Sequence, residues 1–108
     1  MFQRIQIPEF HQVWKSNGNG KACCIIDVRT PEEYAQARVP NAKLLPLDTL
    51  PARAHEIPKD SDVYLICRSG GRSAQAAQFL AQQRGHDRLV NIEGGTLAWI
   101  EAGHPVER

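Results

Sequence analysis

Apolar positions along the chain fall into two patterns. Ala22-Cys23-Cys24-Ile25-Ile26-Asp27-Val28, Asp62-Val63-Tyr64-Leu65-Ile66 and Leu89-Val90-Asn91-Ile92 are short, nearly continuous apolar runs. Continuous rather than alternating runs are the mark of strands buried on both faces of a parallel sheet. Between them the spacing changes to a helical one. Phe10, Val13 and Trp14 share a face after Pro8, and Ala77, Leu80 and Ala81 line another beside Phe79. Two weaker segments, Ile5-Gln6-Ile7 and Asn41-Ala42-Lys43-Leu44-Leu45, complete a set of five strands. Pro40 and Pro46 push the latter to a sheet edge, because proline cannot donate to a central ladder.

The polar positions punctuate this pattern. Asn17-Gly18-Asn19-Gly20 and Pro58 to Asp62 read as turns. Thr30-Pro31-Glu32-Glu33 is a capping box with proline at the first helical position, predicting a short helix from Pro31 to Gln36. A further helix is predicted over Asp48–His55, capped by Asp48, with Pro51 in its first turn. Gly85 closes the helix that begins near Ser73. Glu93 to Thr96 turns into a last helix, Leu97–Ala102, ended by Gly103. Strands alternating with helices predict an α/β domain, a five-stranded parallel sheet with helices on both faces. Loops 27–30, 67–73 and 93–96 then gather along one edge.

Length and composition narrow the picture. A chain of 108 residues is one domain, 1–108, large enough to bury a core without covalent staples. The net charge of +1 gives no broad footprint for nucleic acid or a membrane. Three cysteines without regular spacing do not form a disulfide framework, and adjacent Cys23-Cys24 lack the spacing of metal ligands. Cys23 and Cys24, as neighbours in a strand, face opposite sides of the sheet and are read as packing residues. The amino-terminal residues lack an apolar signal core, which predicts a soluble, cytoplasmic, reducing setting.

The chemistry concentrates in Cys67-Arg68-Ser69-Gly70-Gly71-Arg72-Ser73. A thiol there stands at the carboxyl end of a strand, and a glycine-rich turn leads into a helix N-terminus. Amides in a first helical turn lack intrahelical partners, and the helix dipole is positive there. Gly70 and Gly71 can take positive φ and aim amides inward. Arg68 and Arg72 bring two forked cations. A cysteine in this ring should ionise below the free-thiol pKa of about 8.5 and act as a nucleophile. Asp27 and Arg29 lie at the same sheet edge. For Asp27 a local ion pair is favoured over a catalytic role, and for Arg29 the two readings are balanced. His11, His55, His86 and His104 are read as surface residues away from the site.

Three ordered stretches resemble the motifs of one family. Asp27-Val28-Arg29-Thr30-Pro31-Glu32-Glu33-Tyr34, Cys67 to Ser73, and Gly94-Gly95-Thr96-Leu97-Ala98-Trp99 are similar to the signatures of single-domain rhodaneses. One segment departs: Ala37-Arg38-Val39-Pro40-Asn41-Ala42 stands where the family usually has Gly-His-Ile-Pro-Gly-Ala, so an altered turn is expected there. The resemblance implies the rhodanese-like fold and a sulfurtransferase working by ping-pong, with no metal or organic cofactor required. Cys67 would take a sulfane sulfur from thiosulfate as a persulfide and pass it to cyanide or a thiol, with a protein thiol as another acceptor. Arg68 and Arg72 would bind the donor's oxygens, and Ser69, Gly70, Gly71 and Ser73 would act mainly through backbone amides. A donor with a single carboxylate, such as 3-mercaptopyruvate, has less use for two loop arginines, so the thiosulfate branch is favoured. Two alternatives stand beside this reading. One is a non-catalytic interaction or regulatory module of the same family. The other is a cysteine-dependent phosphatase, which needs arginine six residues after the cysteine, where this chain has Ser73. Redox or arsenate handling is a weaker third, for lack of a resolving cysteine in the loops.

Overall fold

The computed structural model describes residues 2–108. Five strands, β1 (Gln3–Ile5), β2 (Cys24–Asp27), β3 (Lys43–Leu44), β4 (Val63–Ile66) and β5 (Leu89–Ile92), form one sheet in the order β1-β5-β4-β2-β3. Every pairing is parallel. Helix α1 spans Ile7–Ser16, α2 Pro31–Gln36, α3 Leu50–Arg53, α4 Gly71–Gln83 and α5 Gly95–Glu101.

The strands are apolar on both sides because each side meets helices. Ile25 and Ile66 point into a cluster with Phe10 and Trp14 of α1 and Trp99 of α5. Their neighbours Ile26 and Leu65 point the other way, onto Leu50 of α3 and Ala76, Ala77 and Leu80 of α4. The period-2 alternation of strands thus feeds two cores from one run. Cys23 and Cys24 divide in the same way, one packing against each cluster. Strand β4 lies at the centre of the sheet, so the chain just beyond Ile66 is held by neighbours on both sides.

Several local expectations shift. Strand β1 ends at Ile5 rather than Ile7. Pro8 falls in the first turn of α1, so Ile7 already belongs to the helix and is buried in its core. The predicted helix over 48–55 is broken into a 3₁₀ turn (Leu47–Thr49), the single turn α3 and a second 3₁₀ turn (Ala54–Glu56). Asp48 caps nothing there. Pro46 precedes this segment, and Pro51 falls in the first turn of α3, where its missing N–H costs no intrahelical bond. His86 is buried rather than superficial, with Nε2 3.0 Å from the Ile57 carbonyl oxygen. The altered turn is carried by Asn41, which adopts a left-handed φ of 73° that asparagine tolerates better than most residues. Its Nδ2 donates to the Asn19 carbonyl at 2.8 Å. Arg38, beside it, exchanges two backbone hydrogen bonds with Glu107 of the carboxyl-terminal tail. The capping box on α2 forms as read: Thr30 Oγ1 accepts from Glu33 N, and the Glu33 carboxylate accepts from Thr30 N. No helix among the described residues is long and apolar enough to cross a membrane.

Candidate active site

Three loops meet at the carboxyl edge of the central strands. Cys67 directly follows β4, is buried, and sits against the core that includes α4. Gly70, with φ of 109°, caps α4 and reverses the chain over the sulfur. Its amide donates to Cys67 Sγ at 3.0 Å. The Ser73 hydroxyl lies 3.3 Å from the same sulfur and 3.2 Å from the Gly70 carbonyl oxygen. Burial pushes the Cys67 thiol up. The hydrogen bonds of the Ser73 hydroxyl and of the Ser73, Gly70 and Ser69 amides outweigh it and hold the thiol below its ordinary value. The loop 67–73 thus curls as a bowl over the sulfur, with the Gly70 amide and the Ser73 hydroxyl turned toward it. Among the described residues Cys23 and Cys24 have no such donors, and burial pushes both thiols up.

Two details differ from the sequence reading. Ser73 faces the sulfur with its hydroxyl, a side-chain contact that the expectation of amide contacts did not include. Gly71 has no positive φ, and a side chain there would meet nothing within 4 Å, so only Gly70 supplies the left-handed turn. The hydroxyl's contribution is measurable. Ser73→Ala is expected to raise the Cys67 pKa, because it removes one of the hydrogen bonds that favour the thiolate. A pH titration of thiolate ultraviolet absorbance reads this directly.

The third loop fixes the bowl from behind. Thr96 N donates to the Cys67 carbonyl at 2.8 Å, and Leu97 N donates to the Arg68 carbonyl at 3.0 Å. These bonds need two backbones in close approach. A Cβ on Gly95 would stand 2.5 Å from the Cys67 oxygen and 2.6 Å from the Arg68 carbonyl, and Gly95 has φ of 62°. Asn91 Nδ2 adds a 3.3 Å bond to the Gly70 carbonyl oxygen. Neither role was visible in the patterns of the sequence, because each depends on which loops the sheet order brings together.

The first loop is tied in by charge. Asp27, fully buried, accepts from Arg29 N, Nε and Nη2 at 2.8–3.1 Å, and Arg29 Nη2 also donates to the Ala37 carbonyl at 2.7 Å. This closed pair holds the turn that follows α2 and leaves neither group free at the bowl. Arg72 also has a partner. Its Nη1 and Nη2 meet Glu33 Oε1 and Oε2 at 2.7 and 2.8 Å across 39 positions of sequence. The Arg72 hydrogen bonds lower the Glu33 pKa to about 2 against its partial burial, with help from Thr30. Sequence spacing revealed Glu33 only as a helix cap. Arg68 is exposed and makes no ion pair among the described residues. With Gln36, Thr96, Leu97 and Ile100 it lines a shallow cavity of about 140 Å³ between α2 and α5.

Comparison with known proteins agrees with this arrangement. The family model described as rhodanese-like domain matches residues 9–102. A sulfurtransferase of Allochromatium vinosum is 49% identical over 82 residues, 76% of this chain and 76% of the relative. A putative sulfurtransferase of Bacillus subtilis is 37% identical over 69% of this chain and 71% of its own length. A putative sulfur carrier protein of the same organism is 37% identical, but the match spans only 40% of it. Among solved structures, a rhodanese-related protein of Thermoplasma volcanium superposes with a TM-score of 0.82 at 30% identity, covering 98% of both chains. A Staphylococcus aureus rhodanese-like domain protein gives 0.76 at 36% identity over 91% of both. With a cysteine-loop bowl at the edge of a five-stranded parallel sheet and relatives named as sulfurtransferases, this chain belongs to the rhodanese-like domain family.

Proposed function

We propose that the chain transfers a sulfane sulfur through a persulfide on Cys67. The observation that carries this reading is the pair of donors on Cys67 Sγ, the Gly70 amide at 3.0 Å and the Ser73 hydroxyl at 3.3 Å. They favour a thiolate in the resting protein and an anionic persulfide after the first half-reaction.

In the first half, the Cys67 thiolate attacks the outer sulfur of thiosulfate. A sulfur–sulfur bond forms on the enzyme, the one in thiosulfate breaks, and sulfite leaves with the electron pair. In the second half, cyanide or a thiolate attacks the outer sulfur of the persulfide. Thiocyanate or an acceptor persulfide departs, and the Cys67 thiolate returns. Splitting one transfer into two covalent steps lowers each barrier. A thiol on a partner protein is chemically equivalent to a small thiol as acceptor, and cytoplasmic reducing conditions would keep both supplied.

The test is intact-protein mass spectrometry after thiosulfate treatment. The expected result is a gain of one sulfur atom located on Cys67, removed again by cyanide with release of thiocyanate. No gain of sulfur, or sulfur found on Cys23 or Cys24, overturns the proposal.

A phosphatase reading has one argument in its favour. A Rhodopseudomonas palustris protein described as a possible tyrosine phosphatase superposes with a TM-score of 0.83 at 26% identity over 98% of this chain. The bowl of this chain argues against it here. The sixth residue after Cys67 is Ser73, whose hydroxyl turns to the sulfur, so no guanidinium stands where a phosphate would need one.

A further inference from the structure

We infer that Glu33 sets the charge that the cysteine bowl will accept, by neutralising Arg72 and leaving Arg68, among the described residues, as the loop's one uncommitted cation. The inference rests on residues 67–73 being where the anionic end of a sulfur donor arrives.

Two guanidiniums in one loop suggest a receptor for a dianion, but the geometry divides them. Arg72 presents both terminal nitrogens to both oxygens of Glu33, at 2.7 and 2.8 Å. A bidentate fork of this kind fills the face of the guanidinium that would otherwise receive oxyanions. Glu33 is itself held in place. Its Oε1 also accepts from Thr30 N at 3.0 Å, and its own amide donates to Thr30 Oγ1 at 3.2 Å. The carboxylate is thus fixed by its own helix as well as by Arg72, and the pair adds no net charge to the site.

Arg68 differs in each respect. It is exposed, has no ion pair among the described residues, and lines the 140 Å³ cavity next to the loop. The other charged groups lining that cavity are Arg29, already closed on Asp27, and Glu33, already closed on Arg72. Thr96, buried in the cavity wall, keeps its Oγ1 without a hydrogen-bond partner among the described residues. A buried hydroxyl without a partner is costly unless a ligand or water completes it. Arg68 is therefore the cation left in that cavity to receive an oxyanion. The site carries the attraction of one cation rather than two, which suits a donor whose anionic end is held loosely and released after transfer.

This gives a charge ladder that activity does not enter. The probe is inorganic sulfate, followed by NMR shifts of the Arg68 and Gly70 amides at constant ionic strength. One unit of charge close to a dianion changes its binding about fivefold. Glu33→Gln is expected to bind sulfate about fivefold tighter than the native chain, and it keeps the capping box because glutamine serves at that position. Arg72→Gln leaves Glu33 unpaired and is expected to bind about fivefold weaker. The double variant restores the net charge and returns close to native affinity. Glu33→Asp retains the charge and is expected to stay near native. Arg68→Gln is expected to lose the sulfate response.

If the double variant binds as weakly as Arg72→Gln, Arg72 contacts the anion directly and the inference is wrong. It is equally wrong if Glu33→Gln leaves sulfate binding unchanged. Absence of a Cys67 persulfide alongside an intact ladder would remove the proposed transfer reaction and leave the charge assignment standing. A persulfide with no ladder would do the reverse.

Discussion

Replacing Cys67 with serine is expected to lower sulfur transfer at least about a thousandfold while leaving the fold in place. The size of the loss follows from the chemistry. A serine hydroxyl is far less acidic than a thiol, so the bowl amides cannot hold it ionised at neutral pH. A serine also cannot carry the second sulfur as a persulfide, so both half-reactions fail together. Stability should change little. The serine oxygen can accept from the Gly70 amide and Ser73 hydroxyl that now face Sγ, and the exchange nearly preserves volume at a buried position. Urea midpoints within about 1 kcal/mol of the native value, with transfer lost, are the expected pair of results. Transfer persisting in the serine variant would mean that another sulfur does the work. Cys23 and Cys24 are the remaining cysteines, and they lie at the opposite end of the sheet strands from the bowl.

The second large effect is expected at Gly95, which touches no substrate in this account. Gly95→Ala forces a Cβ to within 2.5 Å of the Cys67 carbonyl oxygen and 2.6 Å of the Arg68 carbonyl. Both contacts are backbone, so no flexible side chain can move aside. The φ of 62° adds a left-handed penalty of about 1–2 kcal/mol for alanine. Relief requires the loops to part, which breaks the bonds from Thr96 N and Leu97 N to the Cys67 and Arg68 carbonyls. Overpacking of this kind commonly costs about 1–3 kcal/mol more, giving a total of roughly 2–5 kcal/mol. Because the strain falls on the residue bearing the nucleophile, the thiol should also move toward an ordinary pKa as the bowl opens. Gly71→Ala is the informative contrast. That position has no positive φ and open space around it, so its stability should be unchanged or slightly improved. Chemical denaturation of the two variants side by side measures the difference.

How much of this was legible in the sequence depends on the range of the interaction. The five strands, the two-sided burial and the gathering of three loops came from apolar runs and punctuation, because local period and burial are written in contiguous residues. The α2 cap and the left-handed Gly70 were likewise local. One failure was local too: the segment over 47–56 is divided into short turns that its composition alone did not distinguish from a helix. What the sequence could not give was the pairing of side chains across loops. Glu33 reads as a cap, and only the β2-β4 adjacency brings it to Arg72. Asn91 reads as a strand residue, and only the β4-β5 adjacency brings it to the Gly70 carbonyl. His86 reads as a surface residue because its burial depends on the Ile57 turn, 29 residues away.

Sulfur transfer at this site depends on the charge state of one sulfur. The most direct measurement is a pH titration of thiolate ultraviolet absorbance in the native protein, corrected by the same titration of Cys67→Ser to subtract Cys23 and Cys24. The account predicts that Cys67 ionises with a midpoint below the free-thiol value of about 8.5. A midpoint at or above that value would mean that burial prevails over the bowl's donors, and would contradict the claim that this site holds a ready nucleophile.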